Sequence, residues 1–134
     1  MSISTLRISG SALNAERIRL DTISQNIANS QTTRGPDGRA YRRRMAVFEA
    51  IPADQPGAGG VHVTEVTESS APMEQVYNPG HPDADARGYV EMPNVNPVEE
   101  MVDLMAATRA YEANIAAVNA TRTLVARALD LGRP

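Results

Sequence analysis

The sequence predicts a mainly α-helical fold, in which long N- and C-terminal helices pair as a coiled-coil-like stem and carry a small insertion that contains a β-hairpin. Apolar residues recur every three or four positions at both ends of the chain, whereas the middle is rich in Pro, Gly and Asp. One Phe, four Tyr and no Trp among 134 residues favour helix-on-helix packing over an aromatic core. We expect residues 1–30 and 96–132 to form one discontinuous stem domain, and residues 31–95 to form a short β-containing middle region with an extended connector.

The first helix is predicted from an apolar stripe whose members keep to one helical face. Gly10 costs about 1 kcal/mol relative to Ala inside a helix, and the serines at the start of the chain add little propensity, so this helix should be marginal alone. A polar, turn-prone passage from Asn26 to Gly38 ends it. The apolar members of the stripe are Ile3, Leu6, Leu13, Leu20, Ile23 and Ile27.

The middle region is predicted to contain short strands. Side chains alternate over residues 41–51 and 61–65, on either side of a loop from Pro52 to Gly60. Residues 73–77 are a candidate third strand. The prolines and glycines of residues 69–96 otherwise predict an irregular extended connector.

The second helix has the clearest start signal in the chain. Asn96 is suited to the N-cap, Pro97 to the first helical position, and Glu99 to the third position of a capping box. A helix of about 34 residues would be roughly 50 Å long, well beyond the radius of gyration of about 13 to 15 Å expected for a compact domain of this size. Its apolar stripe consists of Met101, Leu104, Tyr111, Ile115, Val118, Val125 and Leu129.

The two stripes predict assembly, because one helix pair cannot cover all of so long an apolar surface. Stems that bind neighbours head to tail through contacts that do not close generate open helical tubes. The apolar residues of both stripes are therefore candidate assembly-interface residues, and Asn96 and Glu99 are candidate helix-cap residues. From periodicity alone, an intramolecular helical hairpin in an ordinary soluble protein is the simpler interpretation.

Composition and motifs argue against catalysis and membrane insertion. The absence of Cys excludes disulfides, thiolate metal sites and a Cys nucleophile, and His62 and His81 are too few for a zinc site. No serine-centred elbow or phosphate-binding glycine loop occurs. We expect no catalytic, cofactor-binding or metal site, no small-molecule substrate, no cleaved signal peptide and no direct membrane insertion.

A basic cluster surrounds Tyr41 and includes Arg39 and residues 42–44. Arginines interleaved with an aromatic residue can bind nucleic acid. The cluster is short and the net charge of the chain is -3, so we favour arginines that point to solvent or pair with Glu65, Glu68 or Glu74. Contact with an acidic neighbouring subunit is a third interpretation, and no nucleic-acid partner is expected.

Two segments resemble a known family. Residues 11–17 (SALNAER) and 20–29 (LDTISQNIAN), followed by Thr32 and Thr33, are similar to the N-terminal signature of flagellar rod, hook and hook-associated axial proteins. Residues 88–105 (GYVEMPNVNPVEEMVDLM) and 109–114 (RAYEAN) closely resemble the proximal-rod members of that family. The short middle region also fits the proximal rod, because the distal rod and hook have longer central domains.

The resemblance implies a structural subunit of the bacterial flagellar basal body, in the proximal rod that crosses the periplasm, and no enzymatic activity. It also implies export without a cleaved signal through the flagellar type III apparatus, and packing with other rod proteins and with copies of itself in a helical tube used for motility. A soluble adaptor or chaperone-like binding module built on a helical hairpin is the alternative, and an enzyme ranks third.

Overall fold

The structure, a computed structural model, describes residues 2–52, 54 and 59–132. Two long helices, α1 (Ser2–Ala28) and α2 (Pro97–Leu131), flank four strands, which are β1 (Arg44–Ile51), β2 (Gly60–Glu68), β3 (Glu74–Tyr77) and β4 (Tyr89–Met92). The predicted fold class is confirmed in its two terminal helices and its hairpin-containing insertion. Met1 lies outside the described residues, as does the side chain of Ile3.

The two helices pack against each other and run antiparallel, because Asn26 at the end of α1 contacts Glu100 in the first turn of α2. Most of the buried and half-buried positions of α2 recur at alternating steps of four and three as far as Val125. These positions, which we call the seam, are Glu100, Leu104, Ala107, Tyr111, Asn114, Val118, Thr121 and Val125.

The seam differs from the predicted pairing stripe at every second position. Leu104, Tyr111, Val118 and Val125 belong to both, but Met101, Ile115 and Leu129 are exposed. Glu100 takes the place of Met101 and Asn114 that of Ile115, each one position earlier, and Ala107 and Thr121 fill the intervening seam positions. The seam is therefore built from smaller and more polar side chains than the apolar periodicity indicates.

The first hairpin lies on α1. Strands β1 and β2 pair antiparallel from Arg44 opposite Glu68 to Ile51 opposite Gly60, with an irregularity between Val47 and Phe48. Both strands pack on α1, and among the described elements neither contacts α2. The N–H of Val61 donates to Ser11 Oγ at 3.1 Å, and a Cβ at Gly60 would lie 2.6 Å from that oxygen, so this close approach requires glycine.

A second hairpin occupies part of the segment predicted to be an irregular connector, so that prediction is wrong for residues 89–92. Strands β3 and β4 pair antiparallel from Glu74 opposite Met92 to Tyr77 opposite Tyr89, and the two tyrosine rings meet edge to face at 5.3 Å. Val90 is buried. The prolines that argued against regular structure lie beside the strands and leave the ladder intact.

The loop before β4 is closed by Asp85 and Gly88. The carboxylate of Asp85 accepts the N–H groups of Arg87 and Tyr89, and these bonds, that of Tyr89 first, lower the pKa of Asp85. Gly88 has φ of +85°, and a Cβ there would also lie 2.9 Å from the ring of Tyr77. The loop thus orients β4 for pairing with β3.

Asn96 occupies the N-cap of α2 and its Oδ1 accepts the N–H of Val98 at 3.0 Å. Glu99 is exposed, and the reciprocal capping-box bond from its carboxylate is not among the hydrogen bonds of the described residues. We expect Asn96→Ala to lower the free energy of unfolding by about 1 kcal/mol, because the Val98 N–H loses its partner. Urea unfolding followed by circular dichroism measures this, and an unchanged midpoint would contradict it.

Candidate functional site

A carboxylate is buried where the two helices meet. The side chain of Glu100 is fully buried, forms an ion pair through Oε1 with Arg43 Nε, and accepts Asn26 Nδ2 on Oε2 at 3.1 Å. Nη2 of Arg43 lies 3.3 Å from Oδ2 of Asp103 and forms a second ion pair. Each Glu100 oxygen is therefore paired, which a buried charge requires.

Asn26 connects this carboxylate to the first hairpin. Its Nδ2 donates to the carbonyl of Arg44 at 2.8 Å, and its Oδ1 accepts the Arg44 N–H at 2.9 Å and the Tyr41 hydroxyl at 2.8 Å. The side chain is almost fully buried. One amide thus fixes the end of α1 to the start of β1.

Asn94 attaches the connector to the same place. Its Oδ1 accepts the Arg43 N–H at 2.7 Å, and its Nδ2 donates to the Ala71 carbonyl at 3.0 Å. Arg42 donates to the carbonyls of Ser69 and Ala71. We call Asn26, Tyr41, Arg43, Asn94 and Glu100 the joint, because they connect both helices, β1 and the segments on either side of the second hairpin.

The hydroxyl of Tyr41 titrates inside the joint. Burial raises its pKa above the ordinary value of 10.0, Arg44 at 5.7 Å from the ring opposes this, and the carboxylates of Glu100 and Glu68 add to it. Because the folded-state pKa is raised, the stability that the protonated hydroxyl contributes is complete below the unfolded pKa and is lost as pH rises through the folded pKa.

We expect Tyr41→Phe to lower the free energy of unfolding by about 1 kcal/mol at neutral pH, since Asn26 loses one donor. The variant should also show a smaller loss of stability above pH 10 than the parent chain. Tyr77→Phe is the control, because Tyr77 is exposed and should leave the alkaline loss in place. Denaturant unfolding across pH 7 to about 11 measures both, and equal alkaline loss in Tyr41→Phe would contradict the assignment.

Three of the four arginines of the basic cluster have partners within the chain. Arg44 lies 3.9 Å from Glu68, which is one of the carboxylates predicted to pair with the cluster. Arg43 and Arg42, by contrast, bind inside the chain, to Glu100 and to backbone carbonyls. Sequence reasoning did not anticipate these internal roles, since the partners lie more than 25 positions away in the chain.

The outer face of α2 is apolar and exposed. Val98, Met101, Val102 and Met105 recur at helical spacing and are between 53% and 68% exposed. Further along the helix, Leu124, Leu129 and Leu131 are also exposed. Exposed apolar side chains of this size, grouped on one face of a helix, are typical of a surface that another molecule covers.

The predicted interface residues divide between covered and open positions. On α1, Ile23 is buried and Leu6, Leu13, Leu20 and Ile27 are half-buried. On α2, the residues that coincide with the seam face α1, whereas Met101, Ile115 and Leu129 remain open to a neighbour. Sequence reasoning missed Val98, Val102 and Met105, although Val98 and Met105 lie three and four positions from Met101, and Val102 lies four from Val98 and three from Met105.

The described residues contain no group of three or more His, Asp or Glu side chains placed to hold a metal ion. Among the described residues, no helix is long and apolar enough to cross a membrane. His81 accepts the Asp83 N–H on Nδ1 at 3.0 Å, within the loop before β4.

Comparison with known proteins identifies the class of protein. Residues 6–36 match the family described as Flagella basal body rod protein, and residues 86–131 match the family described as Flagellar basal body rod FlgEFG protein C-terminal. The two matched segments contain most of α1, the joint residues Asn26, Asn94 and Glu100, and all of α2. The class is therefore that of flagellar rod proteins.

Relatives that align with this chain over nearly its full length identify a narrower family within this class. The flagellar basal-body rod protein FlgC of Salmonella typhimurium is 47% identical over 126 residues, which cover 94% of each chain. FlgC of Bacillus subtilis is 41% identical over 145 aligned positions, covering 96% of this chain and 97% of the relative, and FlgC of Aquifex aeolicus is 40% identical over 126. The chain belongs to the FlgC family of flagellar basal-body rod proteins.

Proposed function

We propose that this chain is a structural subunit of the proximal flagellar rod and assembles by packing the outer faces of its terminal helices against other rod subunits. Its family consists of rod proteins, and the observation that carries the mode of assembly is the open apolar face of α2 from Val98 to Met105. The function is mechanical, and it depends on neighbouring rod subunits that cover the apolar faces.

The distribution of apolar residues supports this proposal. The buried apolar residues of the described chain are few and mostly small, and they include Ala15, Ala107, Ile23 and Val90. Several large apolar side chains of α2, among them Val98, Met101 and Met105, point away from α1 instead. A chain with so little apolar burial of its own gains stability from each neighbour that covers its outer face.

Export in an unfolded form through the flagellar type III apparatus, without a cleaved signal, is the second part of the proposal. The support is the low intrinsic stability of α1, which contains Gly10 and several serines and is held mainly by contacts with α2 and the first hairpin. A helix of this kind orders when its partners are present. Assembly in the periplasm-spanning rod would supply these partners.

Incorporation into purified basal bodies tests the proposal, with Met105→Asp as the diagnostic variant. Met105 is 58% exposed, so the variant should unfold within about 0.5 kcal/mol of the parent chain. It should nevertheless be lost from basal bodies and abolish swimming, because a buried carboxylate would disrupt the packed face.

Ser70→Asp is the matched control, since it adds the same charge at an exposed position of the connector. It should assemble and swim as the parent does. Normal assembly of Met105→Asp would show that this face is not an interface. Absence of the parent chain from basal bodies, with recovery in a cytoplasmic complex, would replace the proposal with an adaptor function.

A further inference from the structure

We propose that Met101 and Met105 form a redox-sensitive site on the outer face of α2, at which a peroxide converts the two thioethers to sulfoxides and so keeps the unassembled chain out of the rod. The inference rests on the proposed assembly function, because the consequence of oxidation is a failure of packing. It follows from the exposure of the two side chains, from their apolar surroundings and from the absence of cysteine in the chain.

Met101 and Met105 are the most exposed methionines of the described residues. Met101 is 53% exposed and Met105 is 58% exposed. Met45 in β1 is 36% exposed, and Met73 and Met92 are half-buried. Neither Met101 nor Met105 belongs to the seam that α1 covers, and among the described elements no strand contacts α2. A small oxidant can therefore reach both thioethers while the chain is folded.

The two thioethers lie close together on one side of the helix. Four positions separate Met101 from Met105, so they stand about 6 Å apart along the helix axis and on neighbouring turns. Val98 and Val102 adjoin them on the same exposed surface. A neighbouring segment that packs on this part of α2 covers both methionines at once.

The reaction requires one peroxide molecule for each thioether. A lone pair of the sulfur attacks one oxygen of hydrogen peroxide, a sulfur–oxygen bond forms and the oxygen–oxygen bond breaks. The leaving hydroxide takes the proton of the transferred oxygen, so the products are methionine sulfoxide and water. The sulfur loses two electrons and the peroxide gains them. Because the chain contains no Cys, thiol oxidation does not compete with this reaction.

A sulfoxide changes what the outer face can pack against, because it turns an apolar side chain into a polar one. Its oxygen accepts hydrogen bonds, and the side chains of Val98 and Val102 have no donor to offer. A neighbour that covers this surface would bury the oxygen without a partner, which is unfavourable. In the unassembled chain the same oxygen stays in water, so the fold is kept.

Oxidative footprinting tests whether the site is open before assembly and covered afterwards. The purified chain and purified basal bodies are treated with the same concentration of hydrogen peroxide, and mass spectrometry of peptides measures the sulfoxide at each methionine. In the free chain, Met101 and Met105 should oxidise several-fold faster than Met73 and Met92, which are half-buried. In basal bodies, the rate at Met101 and Met105 should fall about tenfold.

Incorporation measures the consequence of oxidation. Cells receive a brief pulse of hydrogen peroxide during rod assembly, and the chain in purified basal bodies is quantified with and without the pulse. The pulse should lower incorporation of the parent chain several-fold. In the Met101→Leu, Met105→Leu double variant, which keeps apolar side chains of similar volume but has no thioether there, the pulse should cause no further loss, whatever the level of incorporation without peroxide.

Met45→Leu is the matched control, because it makes the same substitution at a methionine on the first hairpin. Its incorporation should fall after the pulse as that of the parent does. Repair supplies a measurement that serves if the double variant fails to assemble. Extra methionine sulfoxide reductase in the cells should restore incorporation of the parent chain after the pulse, since this enzyme converts the sulfoxide back to the thioether.

The outcomes separate this inference from the proposed function. An equal effect of peroxide on the parent and on the double variant, or oxidation of Met101 and Met105 no faster than that of Met73 and Met92, would overturn the inference and leave the rod function standing. Rapid oxidation of Met101 and Met105 in intact basal bodies would overturn both the inference and the proposed covering of this face. Absence of the parent chain from untreated basal bodies would instead overturn the proposed function.

Discussion

Glu100→Ala is expected to lower the free energy of unfolding by about 3 to 5 kcal/mol, because it removes one partner of a buried ion pair and leaves the other unpaired. Arg43 would keep only Asp103, which is partly exposed, and Asn26 Nδ2 would keep only the Arg44 carbonyl. Urea unfolding of the purified chain, followed by circular dichroism at 222 nm, measures the loss as a shift in midpoint.

Glu99→Ala is the matched control for this prediction. Glu99 adjoins Glu100 in the same first turn but is exposed, so its removal should cost less than about 1 kcal/mol, the contribution of an acidic side chain near a helix N-terminus. Arg43→Ala should resemble Glu100→Ala, and the double variant should cost less than the sum of both. Similar losses from Glu99→Ala and Glu100→Ala would show that the joint does not hold a buried pair.

The elements that could be predicted from the sequence are those with local signals. Asn96 and Pro97 indicate where α2 begins, and no Gly or Pro interrupts it before Gly132. Alternating side chains on either side of a Pro- and Gly-rich loop indicate the first hairpin. In each case, the residues that decide the structure lie within a few positions of one another.

The joint could not be predicted because its members are distant in the sequence. Glu100 binds Arg43, which lies 57 positions earlier in the sequence, and Asn26, which lies 74 positions earlier. A periodic pattern assigns buried positions to apolar residues, so it selected Met101 and passed over Glu100. Only the positions of Asn26 and Arg43 show why a carboxylate is stable there.

The second hairpin escaped prediction for a related reason. Residues 89–92 alternate as a strand does, but the neighbouring prolines and glycines favour irregular structure. Its pairing with β3 depends on the loop closed by Asp85 and on the positive φ of Gly88. These are contacts that form only once the loop is folded.

In the proposed assembly, the seam holds the two helices of one chain together, and the outer face is left for neighbouring subunits. Small and polar residues alternate with larger apolar ones on the face that packs against α1, where Ala107 allows close approach and the joint fixes the end of the helix pair. Larger apolar residues such as Val98 and Met105 face outward. A seam with larger residues would hold the helices farther apart and would alter the surface presented to neighbours.

Ala107→Leu tests this division of roles. Ala107 is fully buried in the seam, so three added carbon atoms must displace α1 or adopt a strained conformation. We expect the free energy of unfolding to fall by about 1 to 3 kcal/mol, as for overpacking in a close-packed core. Thermal and urea unfolding of the purified chain measure the loss.

The matched control is Ala106→Leu, the same substitution one position earlier, where the side chain is exposed. Leu and Ala differ little in helix propensity, so its free energy of unfolding should change by less than about 0.5 kcal/mol. A fall at position 107 without one at position 106 would assign the cost to packing against α1. Equal tolerance at both positions would mean that the helices have room to separate, and that the seam does not set their distance.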